Sequence, residues 1–96
     1  MTSKIKTQAL QGMRAIVTGG AQGIGKGICL ELALEGATVV IADLNKDKSE
    51  ELVKKIAKLG ENAIAIQANI SSKEGCQKLV NEAIDKLGGL DILVNC

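Results

Sequence analysis

Aromatic residues, proline and histidine are all absent from this 96-residue sequence, and only three cysteines occur. Without histidine or a CxxC pair, the usual zinc sites are not expected, and the odd number of widely spaced cysteines does not indicate a disulfide framework. Cys29 and Cys76 fall within helical patterns and are expected to be small core residues. Because tyrosine and histidine are missing, no pair of residues suited to general acid–base catalysis can be assigned.

An excess of either charge is also missing, since twelve Lys and Arg residues against eleven Asp and Glu leave a formal net charge of +1. A chain so close to neutrality is not expected to attract nucleic acid electrostatically. No apolar run approaches the roughly 20 residues that cross a bilayer, and residues 1–12 lack the features of a signal peptide. We therefore expect a soluble, cytoplasmic protein that binds neither nucleic acid nor membranes.

What the chain does contain is a regular alternation of short apolar runs and amphipathic segments. The strands are predicted at Ala15–Thr18, Thr38–Ala42, Ala63–Gln67 and Asp91–Asn95. The first helix is predicted at 24–35. The second is predicted to run from a cap at Asn45 or Asp47 to Leu59, and the third from a capping box of Ser71 and Glu74 to Leu87. The inward positions of the last helix are predicted to be Cys76, Leu79, Val80, Ala83, Ile84 and Leu87.

This β-α-β-α-β-α-β order predicts an α/β fold, the first half of a doubly wound Rossmann-type parallel sheet with strand order 3-2-1-4. Ligands of such sheets bind beyond the carboxyl ends of the strands, where the strand order reverses. Residues 1–12 are predicted to be a tail and residues 13–96 a partial dinucleotide-binding domain. Because the sequence stops at Cys96, directly after an apolar run, we expect an incomplete sheet.

The glycine-rich segment from Gly19 to Gly27 follows the first strand and opens the first helix. Glycine lets a backbone approach a phosphate closely, and a helix N-terminus presents free N–H groups. One alternative is a P-loop, because Gly20 to Lys26 fits GxxxxGK. The residue after Lys26 is Gly27 rather than the Ser or Thr that binds magnesium, which disfavours that alternative.

The motif that the sequence matches is TGxxxGxG, from Thr18 to Gly25, and it resembles the cofactor loop of the short-chain dehydrogenase/reductase family. Asp43 after the second strand and Asn69-Ile70 after the third extend the resemblance, and the stretch from Asp91 to Cys96 is similar to the family's DxLVNNAG segment. The matches cover the chain from about residue 12 onward. Cys96 stands where the family has its second Asn, and Asn69 where it usually has Asp.

The resemblance implies a dinucleotide cofactor held along the strand ends. The implied cofactor-binding residues are Gly19, Gln22, Gly23, Ile24, Gly25, Asp43, Leu44, Asn69, Ile70 and Asn95. Asp43 lies eighteen residues after Gly25, near the spacing expected of an acid that binds the ribose hydroxyls and repels a 2′-phosphate. Gln22 in the glycine-rich segment is not basic, and the first cation after Asp43 is Lys46, so we expect NAD rather than NADP. A helix N-cap is the alternative role of Asp43.

In this family a Ser and a Tyr-x-x-x-Lys pair carry out catalysis, and no residues here match them. We therefore expect the NAD(H)-binding portion of an oxidoreductase that interconverts a secondary alcohol and a ketone, with no catalytic residue in this chain. The alternative is a truncated, non-catalytic module that binds a nucleotide or acts by association. The resemblance also implies a small-molecule substrate and, since relatives are often dimers or tetramers, a homo-oligomer for the complete protein.

Overall fold

The structure, a computed structural model, describes residues 8–96 and has the predicted order of strands and helices. The strands are β1 Arg14–Thr18, β2 Thr38–Asp43, β3 Ala63–Gln67 and β4 Ile92–Asn95. The helices are α1 Gly23–Leu34, α2 Lys46–Lys58 and α3 Lys73–Leu87. All strand pairs are parallel and the sheet order is β3-β2-β1-β4, which confirms the predicted half of a Rossmann-type fold.

The core lies on both faces of the sheet, because alternate residues of a strand point to opposite sides. On one face, Val17 and Ile41 pack with Cys29 of α1 and Ile56 of α2. On the other face, buried residues of the sheet pack against α3; they are Ile16, Val40, Ala42 and Ile66 with Leu79 and Ala83. The two central strands are therefore apolar on both sides, as their continuous apolar runs predict.

The helix caps differ from the predictions in one place. The side chain of Asn45 accepts a hydrogen bond from the Lys48 amide at 3.0 Å, so Asn45 is the cap of α2. The capping box at Ser71 and Glu74 is wrong, because α3 is capped one residue later, where the Ser72 hydroxyl accepts from the Gly75 amide at 3.0 Å.

Two residues of α3 are less buried than its apolar pattern predicts. Cys76 is exposed in the first turn of the helix, where its thiol donates to the carbonyl of Ile70 at 3.3 Å. Ile84 is 41% exposed, because only the stripe containing Leu79 and Ala83 faces the sheet. The prediction that Cys76 and Ile84 are core residues is therefore wrong for the described part of the chain.

An ion pair joins the starts of β1 and β4, at the opposite end of the sheet from residues 19–22, which connect β1 to α1 and which we call the glycine loop. The Arg14 side chain donates from Nε to Asp91 Oδ2 at 3.0 Å, and its backbone amide donates to the same oxygen at 2.8 Å. These hydrogen bonds hold the pKa of Asp91 below its usual value and raise that of Arg14. The pair therefore links both strands through side chain and backbone.

Residues 1–7 of the predicted tail lie outside the described residues. Residues 8–12 form a turn that is held to the domain, since the Leu10 amide donates to the Glu35 carbonyl at 2.6 Å and Leu10 packs against the α1–α2 side of the core. Between residues 8 and 96, the helices are too short or too polar to cross a membrane.

Candidate functional site

The carboxyl ends of the strands form a groove of about 310 Å³, which we call the strand-end groove. Six of the residues predicted from the sequence line it: Gly19, Gln22, Asp43, Leu44, Asn69 and Ile70. Four further residues line it that the sequence reasoning did not propose: Ala42, Ala68, Ser71 and Cys96. The fold therefore brings together residues from all the strand ends and the glycine loop.

The other four predicted residues lie around this groove rather than in its wall. Gly25 is buried beneath the glycine loop, and Gly23 lies on the side of the loop that faces α2. Ile24 is 81% exposed at the first turn of α1. Asn95 lies at the end of β4, and its side chain is hydrogen-bonded to β1.

The glycine loop depends on glycine at particular positions. Gly19 and Gly23 have φ angles of 64° and 60°, in the left-handed region that other residues rarely adopt. A Cβ atom on Gly25 would lie 2.1 Å from the carbonyl oxygen of Gly19, so a side chain there would displace the loop from the helix. The close packing of α1 on the end of β1 therefore requires Gly25.

The backbone amides at the N-terminus of α1 face the glycine loop. No capping side chain accepts a hydrogen bond from them. The first backbone hydrogen bond of the helix runs from the Lys26 amide to the Gln22 carbonyl at 3.3 Å, so the amides of Gly23, Ile24 and Gly25 precede the helical ladder. The side chain of Gln22 makes no capping hydrogen bond, and the first turn contains no acidic residue. This end of the helix can therefore bind an anion.

Asp43 connects the end of β2 to the glycine loop. Its Oδ2 accepts from the Ala21 amide at 3.1 Å, and its Oδ1 accepts from the Asn45 amide at 2.9 Å. The alternative role of Asp43 as a helix cap is wrong, because Asn45 caps α2. Each carboxylate oxygen still has a lone pair available for a ligand.

Thr18 connects the ends of β1 and β4 on the opposite side of the loop. Its hydroxyl donates to Asn95 Oδ1 at 2.9 Å and accepts from the Cys96 amide at 3.1 Å. Thr18 is 5% exposed, so this is a largely buried polar contact. It keeps Asn95 against the sheet and brings Cys96 next to Gly19, where it lines the strand-end groove.

Asn69 lies in the tight turn between β3 and α3. Its Oδ1 accepts from the backbone amide of Ser71 at 3.0 Å and from the Ser71 hydroxyl at 2.6 Å. Its side-chain NH₂ group remains a donor for a ligand. Ile70, which is 38% exposed, presents an apolar surface beside it.

A signal in the sequence was available for some of the missed residues but not for others. Ser71 follows Asn69 by two residues, a spacing typical of an Asx turn, and Cys96 follows a strand end. Lys48 is different: its Nζ donates to Gln22 Oε1 at 3.0 Å across 26 residues of sequence. Lys48, and not Lys46, is therefore the lysine of α2 that contacts the glycine loop.

The thiol of Cys29 lies under this loop and is buried. It donates to the Gly20 carbonyl at 3.6 Å, and burial, with a smaller contribution from Cys96, raises its pKa to about 12. Such a thiol is neutral and shielded, which is consistent with the predicted core role of Cys29. Across residues 8–96, no cluster of three or more His, Cys, Asp or Glu residues could hold a metal ion.

Comparisons with known proteins agree with this architecture. Residues 13–96 match the family described as short chain dehydrogenase. The 7alpha-hydroxysteroid dehydrogenase of Escherichia coli strain K12 is 44% identical over 86 residues, which are 90% of this chain and 34% of that protein. The chain thus spans about a third of the length of such relatives.

Solved structures give the same result. A short chain dehydrogenase from Mycobacterium smegmatis superimposes with a TM-score of 0.92 at 32% identity, over 100% of this chain and 41% of that one. A 7 alpha-hydroxysteroid dehydrogenase in complex with NADH and 7-oxo glycochenodeoxycholic acid superimposes with a TM-score of 0.88 at 42% identity, over 94% and 35%. The family match, the sequence identity and the shared fold together show that this chain belongs to the short-chain dehydrogenase family of oxidoreductases.

Proposed function

We propose that this chain is the NAD(H)-binding portion of an oxidoreductase that interconverts a secondary alcohol and a ketone by hydride transfer. The observation that carries the proposal is the position of Asp43, which is hydrogen-bonded to the glycine loop at Ala21 and lines the strand-end groove. A carboxylate there accepts hydrogen bonds from ribose hydroxyls and repels a 2′-phosphate. The structure of a related hydroxysteroid dehydrogenase with NADH supports a nicotinamide dinucleotide.

The residues around the groove fit such a ligand from one end to the other. The amides at the start of α1 suit the pyrophosphate, and the space that Gly25 leaves allows the loop to lie close to the helix. The groove wall beyond Asp43 combines apolar surface from Leu44 and Ile70 with the amide of Asn69, which suits an adenine ring. Asn95 has a supporting role, through its contact with Thr18.

The bound nicotinamide would supply the hydride chemistry, while this chain's residues bind and orient the cofactor. Proton transfer to or from the substrate oxygen needs a further acid–base group. The chain has no tyrosine or histidine to provide one. We therefore propose that these 96 residues bind cofactor without turning over an alcohol or a ketone, and that substrate contacts are made by other parts of the complete protein.

The test is a fluorescence titration of the chain with NADH and with NADPH, which the absence of tryptophan and tyrosine leaves free of intrinsic protein emission. We expect NADH to bind at least about tenfold more tightly than NADPH, a difference of about 1.4 kcal/mol. The Asp43→Asn variant should reduce this preference, whereas Asp85→Asn, which makes the same change on the exposed surface of α3, should not. Equal binding of the two cofactors by the wild-type chain would contradict the role of Asp43.

A further inference from the structure

The side chain of Asn69, in the wall of the strand-end groove, is left with hydrogen-bond donors only. Its Oδ1 accepts from the Ser71 amide at 3.0 Å and from the Ser71 hydroxyl at 2.6 Å. A backbone N–H can only donate, so the atom that it meets must be the oxygen of the side chain and not the nitrogen. Both lone pairs of Oδ1 are then in use, and the NH₂ group keeps its two donors.

The turn that carries Asn69 is fixed against α3. The Cys76 thiol in the first turn of the helix donates to the Ile70 carbonyl at 3.3 Å. A Cβ atom on Gly75 would overlap the backbone carbonyl oxygen of Asn69, so the turn and the helix lie in close contact. Asn69 therefore has a defined position at the groove, and the two hydrogen bonds from Ser71 decide which way its amide faces.

The groove wall next to Asn69 suits the purine base of a dinucleotide, because Leu44 and Ile70 offer exposed apolar surface there. The family usually has Asp at the place of Asn69, and an ionised Asp can only accept hydrogen bonds. The 6-amino group is the donor that adenine offers on the edge that also carries its N7 acceptor. A side chain at this place therefore faces position 6 of the purine.

From these contacts we infer that the base site favours a 6-oxopurine, such as hypoxanthine, over adenine. The NH₂ donors of Asn69 match the O6 and N7 acceptors of a 6-oxopurine, whereas the amino group of adenine meets them donor to donor. Oδ1 cannot accept from that amino group, because Ser71 occupies it. Ser71 is thus a positioning residue for base specificity. The inference rests on the proposed cofactor function and qualifies it.

The experiment compares NADH with reduced nicotinamide hypoxanthine dinucleotide, which differs from NADH only in the base, and measures both dissociation constants by nicotinamide fluorescence. We expect the wild-type chain to bind the hypoxanthine dinucleotide about two- to fivefold more tightly. Asn69→Asp keeps an acceptor for Ser71 and adds one for the amino group of adenine, so it should reverse the preference to about fivefold in favour of NADH. Asn81→Asp makes the same change on the exposed surface of α3 and should keep the wild-type preference.

Variants of Ser71 separate a positioning role from a merely structural one. Ser71→Ala keeps the backbone amide but frees one lone pair of Asn69 Oδ1, which can then accept from the amino group of adenine. It should shift the ratio of the two dissociation constants about two- to threefold toward NADH, whereas Ser71→Thr, which keeps the hydroxyl, should not. Loosening of the turn alone would weaken both dinucleotides equally and leave the ratio unchanged. Far-UV circular dichroism checks that each variant is folded.

The base specificity and the cofactor function fail in different ways. A wild-type chain that prefers NADH, or a ratio that neither Asn69→Asp nor Ser71→Ala changes, would overturn the base specificity and leave the cofactor function intact. A chain that binds neither dinucleotide would contradict both. A preference for the hypoxanthine dinucleotide that Asn69→Asp reverses would support both.

Discussion

The hydroxyl of Thr18 donates to the side-chain oxygen of Asn95 at 2.9 Å and thereby joins the carboxyl ends of β1 and β4. The same hydroxyl accepts from the amide of Cys96 at 3.1 Å, so a single side chain holds the far wall of the strand-end groove. β4 is an edge strand in the described sheet and pairs only with β1. The hydrogen bonds of Thr18 therefore help to position Cys96 in the wall of the strand-end groove.

Replacing Thr18 with valine should lower the free energy of unfolding by about 1–3 kcal/mol, because valine preserves the shape but leaves Asn95 and the Cys96 amide without their partner. Urea denaturation followed by far-UV circular dichroism measures the change. Thr18→Ser keeps the hydroxyl and should lose less stability. A valine variant as stable as the wild type would show that the contact adds nothing.

Alanine at Gly25 should destabilise the chain by about 3 kcal/mol, because its Cβ would lie 2.1 Å from the Gly19 carbonyl. Alanine at Gly27 is the matched control: a Cβ there has no heavy atom within 4 Å, and alanine favours the helix. Gly27→Ala should therefore raise stability by about 0.5–1 kcal/mol. The two urea transitions should shift in opposite directions, and a shift in the same direction would contradict the close packing at Gly25.

The Arg14–Asp91 pair should make stability depend on pH in the acid range. The pKa of Asp91 is lowered in the folded chain, so the folded state holds this proton less tightly than the unfolded state. The stabilisation is present above the unfolded pKa, about 3.9, and is lost as the pH falls through the lower folded value. Asp91→Asn should weaken this dependence in urea midpoints between pH 2.5 and 6.

The same change at Asp85, which is exposed on α3, is the control for that measurement. Asp85→Asn removes one carboxylate but leaves the link between β1 and β4. It should keep the acid dependence of the wild type. If both variants behave alike, the pH dependence comes from the overall charge and not from the pair.

The three cysteines should differ in how fast a thiol reagent modifies them. Cys29 is buried and its raised pKa, about 12, keeps it as the thiol at pH 8, whereas Cys76 and Cys96 are exposed. An aromatic disulfide reagent should therefore modify two thiols rapidly and the third only in urea. Rapid modification of all three in the folded chain would mean that the loop over Cys29 opens readily.

Much of the site could be predicted because its residues follow strand ends. Once the strands at Arg14–Thr18 and Thr38–Asp43 are recognised, parallel pairing brings Gly19 and Asp43 to one edge of the sheet. Asn69 joins them through the third strand in the same way. Exact caps were harder, since Ser71 and Ser72 are chemically alike and only the turn at Asn69 decides between them.

By itself, the sequence determined the order of strands and helices, the glycine loop and the acid after the second strand, because these depend on local periodicity and on residues close to one another in the chain. The strand order could be predicted from that alternation, because parallel strands joined by helices make right-handed crossovers. Tertiary structure decided which groups meet: Asp43 with Ala21, Thr18 with Asn95, and Lys48 with Gln22. It also decided that Cys76 and Ile84 are exposed. Such contacts depend on strand register and on how each helix docks, which spacing within one element does not encode.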